Sequence, residues 1–426
     1  MKHDVRLAAL IVNYNTGSYA ECCVESLLAE WKRAGRAREK LAIVLVDNAS
    51  PQPQDEYLRR LEALGVTVIR SRENLGYARG MNLCYAQTSG APGDVVAILN
   101  PDLYFLPGAV ELLLDYVLDH PEVGVVDPAT SVDPLGVINL PPNVMPTPLD
   151  HARVVLANMH PFFARAYSRY REARCMRWWT SREPLETDML SGCCMFMRRA
   201  VIDELGQVLD PRYPLYFEDT DLFRTLAQKG YKVVHHTPAR ILHHWSRSAM
   251  IGGAPGDQAT LRHELSRELY YRKFYGPLGR GFYRVMQALL MRWPKRWLGR
   301  PIQPMVSLGA LHEPLELELP RACRFRVEMS VHPSFVVCSG SFGRGERWSI
   351  PAETWDWMFS IDYYARVYDL DTHEVLGAYQ FQKTKPCRSE AMKASELEQL
   401  GPRLLEHAPF RWMSPAEPVL MSDAPG

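Results

Sequence analysis

The sequence predicts an α/β domain built on a mixed, mainly parallel sheet flanked by helices, followed by a smaller β-rich domain. Three observations carry this. Apolar runs at 7–12, 41–46 and 95–99 each stop at Asn or Asp, and such runs fit strands buried on both faces. Helical stretches alternate with them, which means right-handed βαβ units. After Pro301-Ile302-Gln303-Pro304 the pattern changes to short strands separated by turn signals such as Gly340-Ser341-Phe342-Gly343.

The first strand, 7–12, leads into the turn Asn13-Tyr14-Asn15-Thr16-Gly17. Thr16 or Ser18 can cap the helix that runs to about Trp31. The second strand, 41–46, ends in Asp47-Asn48-Ala49-Ser50. A helix over 54–64 and a strand over 66–70 follow. Arg72 to Ala78 opens a helix carrying Arg79, Gly80 and Asn82. The strand at 95–99 runs into Asn100-Pro101-Asp102, where proline ends the ladder because it has no N–H to donate. Strands one, two and four thus deliver Asn or Asp to one sheet edge, the edge where ligands sit in open α/β sheets. There Asp47 can accept from a base N–H or a ribose hydroxyl. Asp102 offers a hard oxygen for Mg²⁺ or Mn²⁺ on a diphosphate, and Arg79 can reach a phosphate. No G-x-G-x-x-G follows the first strand and no G-x-x-x-x-G-K-[ST] occurs, which argues against a dinucleotide site and a P-loop.

Composition narrows the class. The 426 residues suffice for two or three domains. Lys+Arg and Asp+Glu are both 49, so no net field favours nucleic acid. Nine cysteines are scattered without a C-x-x-C pair, which is neither a zinc nor a disulfide pattern and points to a reducing, cytoplasmic setting. Neither a signal peptide's apolar stretch nor a transmembrane run is expected.

Val12-Asn13-Tyr14-Asn15, Val46 to Ser50, Asn74 to Ala78 with Asn82, and Leu99-Asn100-Pro101-Asp102 resemble the donor half of family 2 inverting glycosyltransferases, the rhamnosyltransferase-like branch in particular. The resemblance covers about residues 5–300 and implies a GT-A type fold. Asn100-Pro101-Asp102 stands where most members carry Asp-x-Asp, so metal holding rests on Asp102 and whatever joins it. Ser191-Gly192 resembles the strand beside the transferred sugar, and glycine there lets a sugar or backbone approach closely. Tyr216-Phe217-Glu218-Asp219-Thr220-Asp221 occupies the Glu-Asp position. The resemblance implies that Asp219 is the general base, with Glu218 and Asp221 orienting it or holding a local arginine. His243-His244-Trp245-Ser246-Arg247-Ser248 resembles the H-x-x-x-x-S pattern. It implies His243 on the metal, His244 as the alternative ligand, and Arg247 or Ser248 on the diphosphate.

The resemblance therefore implies an inverting, metal-dependent hexosyltransferase. Its donor is dTDP-rhamnose or a UDP-sugar, and its acceptor is a bacterial surface glycan or lipid-linked precursor. Two rivals are a sugar nucleotidyltransferase, which wants a basic glycine-rich phosphate loop that 13–17 lacks, and a non-catalytic glycan-binding scaffold.

Three units are expected: a catalytic domain over 1–255, a basic amphipathic helical segment over 256–304, and a β-sandwich-like accessory domain over 305–426. Between 151 and 179, arginines interleave with aromatics, as in a flap over the acceptor or membrane, or a solvated helix with inward aromatics. Residues 275–300 are basic and amphipathic, which suits an anionic membrane surface or docking on the catalytic domain. Trp348, Trp355 and Trp357 either stack on sugars or form core, or line a contact with the catalytic domain or with another subunit of a homo-oligomer.

Overall fold

A computed structural model of the protein describes residues 4–244, 257–294, 298–388 and 395–396. The N-terminal sheet has the order β3-β2-β1-β4-β8-β6-β9-β5. Its first four strands in that order, β3 (Thr67–Arg70), β2 (Leu41–Asp47), β1 (Leu7–Asn13) and β4 (Val95–Leu99), are all parallel. β8 (Cys194–Arg198) then pairs antiparallel with β4 and with β6 (Val123–Ser131). β9 (Lys232–His243) runs parallel to β6 and antiparallel to β5 (Leu103–Phe105) and β7 (Leu185–Thr187). This is a mixed, mainly parallel α/β sheet flanked by helices, as the sequence predicts.

Alternation sorts the core into two layers. Leu7, Ala9 and Ile11 join Val24 and Leu27 of α1 (Gly17–Arg33), Leu58 of α2 (Asp55–Ala63) and Leu113 of α4 (Ala109–Asp119). Ala8, Leu10 and Val12 face the other way. They pack with Met81 of α3 (Tyr77–Ala86), Val201 of α7 (Arg199–Leu205), and Leu222 and Phe223 of α8 (Glu218–Gln228). Thr237-Pro238-Ala239 lies inside one continuous β9. Its register against β6 shifts between Pro128 and Ala129, a bulge that accommodates Pro238.

The interleaved segment at 151–179 forms α5 (Pro148–Met159) and α6 (Pro161–Thr180). Tyr167, Arg171, Cys175 and Trp179 are buried at four-residue spacing, so this face packs inward. α9 (Asp257–Arg292) breaks at Gly276-Pro277, with Gly276 at φ 66°. No helix among the described residues is long and apolar enough to cross a membrane.

The accessory region is a five-stranded sheet of order β10-β14-β13-β11-β12. Its strands are β10 (Val306–Leu311), β11 (Glu316–Ser330), β12 (Ser339–Ser349), β13 (Asp362–Asp369) and β14 (Val375–Lys383). Its second layer is helical. One face, with Phe325, Val327 and Met329, packs on Trp355 of α10 (Ala352–Trp357) and on Leu135, Val137 and Ile138 from the catalytic side. There the buried Asp133 accepts from the N–H of Leu135, Val137 and Ile138 and from Thr354 Oγ1 at 2.8 Å. The opposite face presents Arg326, Glu328 and Arg366 to α6, where Arg326 meets Glu172 at 2.8 Å and Arg366 donates to Ser168 Oγ at 2.9 Å. Trp348, Trp355 and Trp357 are all buried: the first two are accessory core, and Trp357 lines the contact with the catalytic side, against Tyr19, Tyr104 and Leu242.

Candidate active site

The carboxyl ends of β1 and β2 meet through side chains. Asn13 Nδ2 donates to Asp47 Oδ1 at 2.7 Å, and Asn13 Oδ1 accepts from the Thr16 N–H and hydroxyl. Ser50 Oγ donates to Asp47 Oδ1 at 2.6 Å and accepts from the Asn15 N–H at 2.9 Å, with Asn15 at φ 59°. A rigid polar rim results, with Asp47 at its centre.

Asn74 extends that rim, accepting from Asn48 Nδ2 at 3.0 Å and from the Gly76 N–H at 2.9 Å. Gly76, at φ 79°, precedes α3, a conformation that favours glycine. Arg79, one turn in, is exposed and makes no ion pair with the described residues. Asn82 faces elsewhere. Its Oδ1 accepts from Val208 N and Leu209 N at 2.8 and 3.2 Å, and its Nδ2 donates to Leu209 O at 2.8 Å. It brackets the loop after α7, and the structure does not bring it to the rim.

At the end of β4, Asp102 Oδ1 lies 3.3 Å from His243 Nε2. Asn100 joins them: its Nδ2 is 3.4 Å from the same nitrogen, and its Oδ1 accepts from Tyr77 OH at 3.0 Å. Burial alone would raise Asp102, yet His243 beside it holds the carboxyl below its usual range. Burial alone would lower His243, but Cys193 and Asp102 reverse this and hold it well above the ordinary imidazole value. Two neighbouring ligands on an octahedral ion with bonds of about 2.1 Å lie about 3 Å apart, so the pair fits two adjacent positions. The mixed oxygen–nitrogen set suits Mn²⁺ better than Mg²⁺. No group of three or more His, Cys, Asp or Glu among the described residues could hold a metal, so a diphosphate would have to supply further oxygens. His244 points the other way, its ring packing 5.3 Å from Tyr19 and 4.5 Å from Trp357.

Tyr216 and Phe217 have φ of 63° and 69°, left-handed values that bulky residues rarely adopt. They turn the chain so that Glu218 and Asp219 occupy the first turn of α8. Burial raises both carboxyls, and for Glu218 the neighbouring Asp219 raises it further. Asp219 Oδ1 accepts from the Thr220 N–H at 2.6 Å. Glu218 Oε2 is buried with no hydrogen-bond partner. Asp221 points away, accepting from Tyr213 OH at 2.8 Å and from Lys273 Nζ at 2.7 Å; a lysine, not an arginine, is its cation.

One turn joins the two halves. Gly192, at φ 76°, sits against Asp219: a Cβ there would lie 2.4 Å from Asp219 Oδ2. Next to it, Cys193 influences His243, and its carbonyl accepts from the Asn100 N–H at 2.8 Å. Tyr77 lies between, its hydroxyl pushed well above the usual phenol value by burial and then by Glu218 and Asp219. Ser191, which is exposed, is held by Asp127 Oδ2 at 3.2 Å. Asp127 also meets His235 Nδ1 at 2.7 Å, under Trp178 stacked at 3.6 Å. Sequence reasoning did not single out Tyr77, Cys193, Asp127 or His235. Only Tyr77 had a signal, its place in the Asn74–Ala78 motif. Arg247 and Ser248 lie outside the described residues.

Asp219 thus stands on one side of the 191–193 turn, and Cys193, with His243 and Asp102, on the other. The sequence model described as Glycosyl transferase family 2 matches residues 8–206; the chain carries a family 2 domain and is a glycosyltransferase. It is 29% identical over 276 residues to N-acetylglucosaminyl-diphospho-decaprenol L-rhamnosyltransferase of Mycobacterium tuberculosis, strains CDC 1551 / Oshkosh and ATCC 25618 / H37Rv, covering 61% of this chain and 81% of that relative. Among solved structures, a mannosyltransferase from Pyrobaculum calidifontis with GDP-Man and Mn²⁺ is 17% identical, with a TM-score of 0.36 over 69% of this chain and 77% of that one. GalNAc-T7 with UDP, GalNAc and Mn²⁺ is 15% identical, with a TM-score of 0.39 over 66% and 55%.

Proposed function

We propose that the protein is an inverting, metal-dependent glycosyltransferase. It moves rhamnose or a similar hexose from a nucleoside-diphosphate donor, dTDP-rhamnose or a UDP-sugar, to a hydroxyl of a glycan or lipid-linked acceptor. The observation that carries this is the 191–193 turn, which puts Asp219 on one side and Cys193, with His243 and Asp102, on the other.

In this reading Asp47, Asn13 and Asn15 receive the nucleoside, with Asn74 and Gly76 shaping the rim and Arg79 facing the phosphates. Asp102 and His243 would hold a divalent cation, which supplies charge neutralisation on the leaving diphosphate. Asn100 fixes the ring plane of His243. Asp219 takes the proton from the acceptor hydroxyl as its oxygen bonds the anomeric carbon and the carbon–diphosphate bond breaks. Burial raises Asp219, which makes it a stronger base once ionised. Glu218 Oε2, buried and unpartnered beside Asp219, accepts a sugar hydroxyl in this reading. Ser191, fixed by Asp127, borders the transferred sugar. The mycobacterial relatives are named for a lipid-linked acceptor, which favours such an acceptor here, met at the cytoplasmic face of a membrane during surface polysaccharide synthesis.

Nucleoside-diphosphate release across a donor panel, with and without Mn²⁺ and acceptor, tests the reading. Pyrophosphate release would identify a nucleotidyltransferase, and silence with every donor would favour a scaffold. Asp219→Asn is expected to keep donor binding and lose transfer; near-normal turnover in that variant would sink the base assignment.

A further inference from the structure

After the Gly276-Pro277 break, the second arm of α9 folds back on the first. Tyr283 stacks on Tyr271 at 5.1 Å, Arg280 and Arg284 both reach Glu268, and Gln287 reaches Glu264. These contacts account for one face of the arm. The opposite face carries Leu278, Phe282, Val285 and Leu289, exposed by 89%, 40%, 66% and 41%. Their spacing of i, i+4, i+7 and i+11 draws one stripe along a helix. A helix that only buttressed the domain would turn polar side chains to water there.

The stripe does not stand alone. Beyond the arm, Gly299 N donates to Asn158 O at 2.9 Å and Arg165 donates to Ile302 O at 2.7 Å. The chain is thereby tied to the corner between α5 and α6, where Phe162 and Phe163 stack edge to face and are both exposed. Charge completes the pattern. From Gly276 to Arg300 there is no Asp or Glu, and beyond Arg280 and Arg284, which pair with Glu268 on the inner face, the sequence adds Arg292, Lys295, Arg296 and Arg300. A second copy meeting this face across a two-fold axis would set cations against cations. An anionic lipid surface answers both features: apolar side chains enter the acyl boundary and the cations remain among the headgroups.

We propose that the second arm of α9 and the α5–α6 corner form a docking edge for an anionic bilayer. The role rests on the lipid-linked acceptor proposed above. The first arm makes the edge useful, since Ser266 Oγ donates to Leu215 O at 2.7 Å and Lys273 meets Asp221 at 2.7 Å. Both contacts grip the segment that bears Glu218 and Asp219, so a membrane seated on the edge stands at a fixed place relative to the base.

The test is flotation of the full chain with phosphatidylcholine vesicles, with and without phosphatidylglycerol, together with transfer to a water-soluble acceptor. Wild type should float with the anionic vesicles only, and less so at high salt. Leu278→Glu/Val285→Glu should weaken flotation at least about tenfold while soluble transfer stays within about twofold of wild type. Leu278→Asn/Val285→Asn, which adds no charge, should show the same loss at an unchanged melting temperature. Equal flotation of variant and wild type overturns the proposal, as does no flotation of wild type, or a wild-type dimer that the substitutions split. Loss of flotation with no soluble transfer by any form, wild type included, keeps the docking edge and removes the transfer reading.

Discussion

Gly192→Ala perturbs the turn on which the site depends. The added Cβ would lie 2.4 Å from Asp219 Oδ2 and 3.0 Å from Asp219 Cβ. Unstrained carbon contacts are about 3.5 Å or more, so the carboxylate must retreat by about 1 Å. A misplacement of that size costs on the order of a hundredfold in rate. The backbone contributes separately, because Gly192 has φ 76° and an L-residue there costs about 1–2 kcal/mol of stability. Gly206 isolates that second effect: its φ is also 76°, but nothing lies within 4 Å of where a Cβ would go. Gly192→Ala and Gly206→Ala should therefore lose similar melting temperature, while only the former loses turnover. Nucleoside-diphosphate binding by calorimetry should be unchanged in both. Turnover of Gly192→Ala within about threefold of wild type, or an equal loss in Gly206→Ala, would refute the contact as the cause.

The histidines can be separated: His243→Ala and Asp102→Asn should each lower Mn²⁺-stimulated transfer on the order of a hundredfold, whereas His244→Ala should cost stability and leave the Mn²⁺ dependence intact. Glu218, pushed up to about 8 by burial and Asp219, holds a proton that the unfolded chain releases near pH 4.5. Its stabilising contribution is therefore full below that pH and lost as pH rises through about 8, so Glu218→Gln should raise the melting temperature clearly at about pH 8.5 and barely at pH 4.5. A pH-independent difference would contradict this. Asn82→Ala leaves the N–H groups of Val208 and Leu209 without their partner, so denaturation should show a loss of about 2–3 kcal/mol with donor KM unchanged; a raised KM would return Asn82 to the donor site.

What could be read from the sequence follows from how each signal is generated. Strands β1, β2 and β4 are buried almost throughout, so their residues must be apolar, and the Asn and Asp that end them stand out. Asn13 and Asn82 show the limit. Both belong to polar motifs before or within a helix, but direction is not written in residue type: Asn13 faces Asp47, while Asn82 turns to the backbone of 208–209. Glu218, Asp219 and Asp221 are alike in sequence too. Two left-handed residues before α8 send the first two into the site, and Lys273, 52 residues further on, captures the third. Asp127 and His235, 108 residues apart, meet only because β6 and β9 lie side by side in register. The accessory sheet misleads for a related reason. Arg326, Glu328 and Arg366 alternate with apolar neighbours, as on a solvated strand face, yet all three are buried beneath α6. Glu328 bonds both arginines there, and removing one member of a buried ion pair costs about 3–5 kcal/mol. The charges on that face therefore hold the accessory sheet to the helix whose other end bears Phe162. A polar alternation names a strand, but whether its polar face meets water or another domain depends on the rest of the chain.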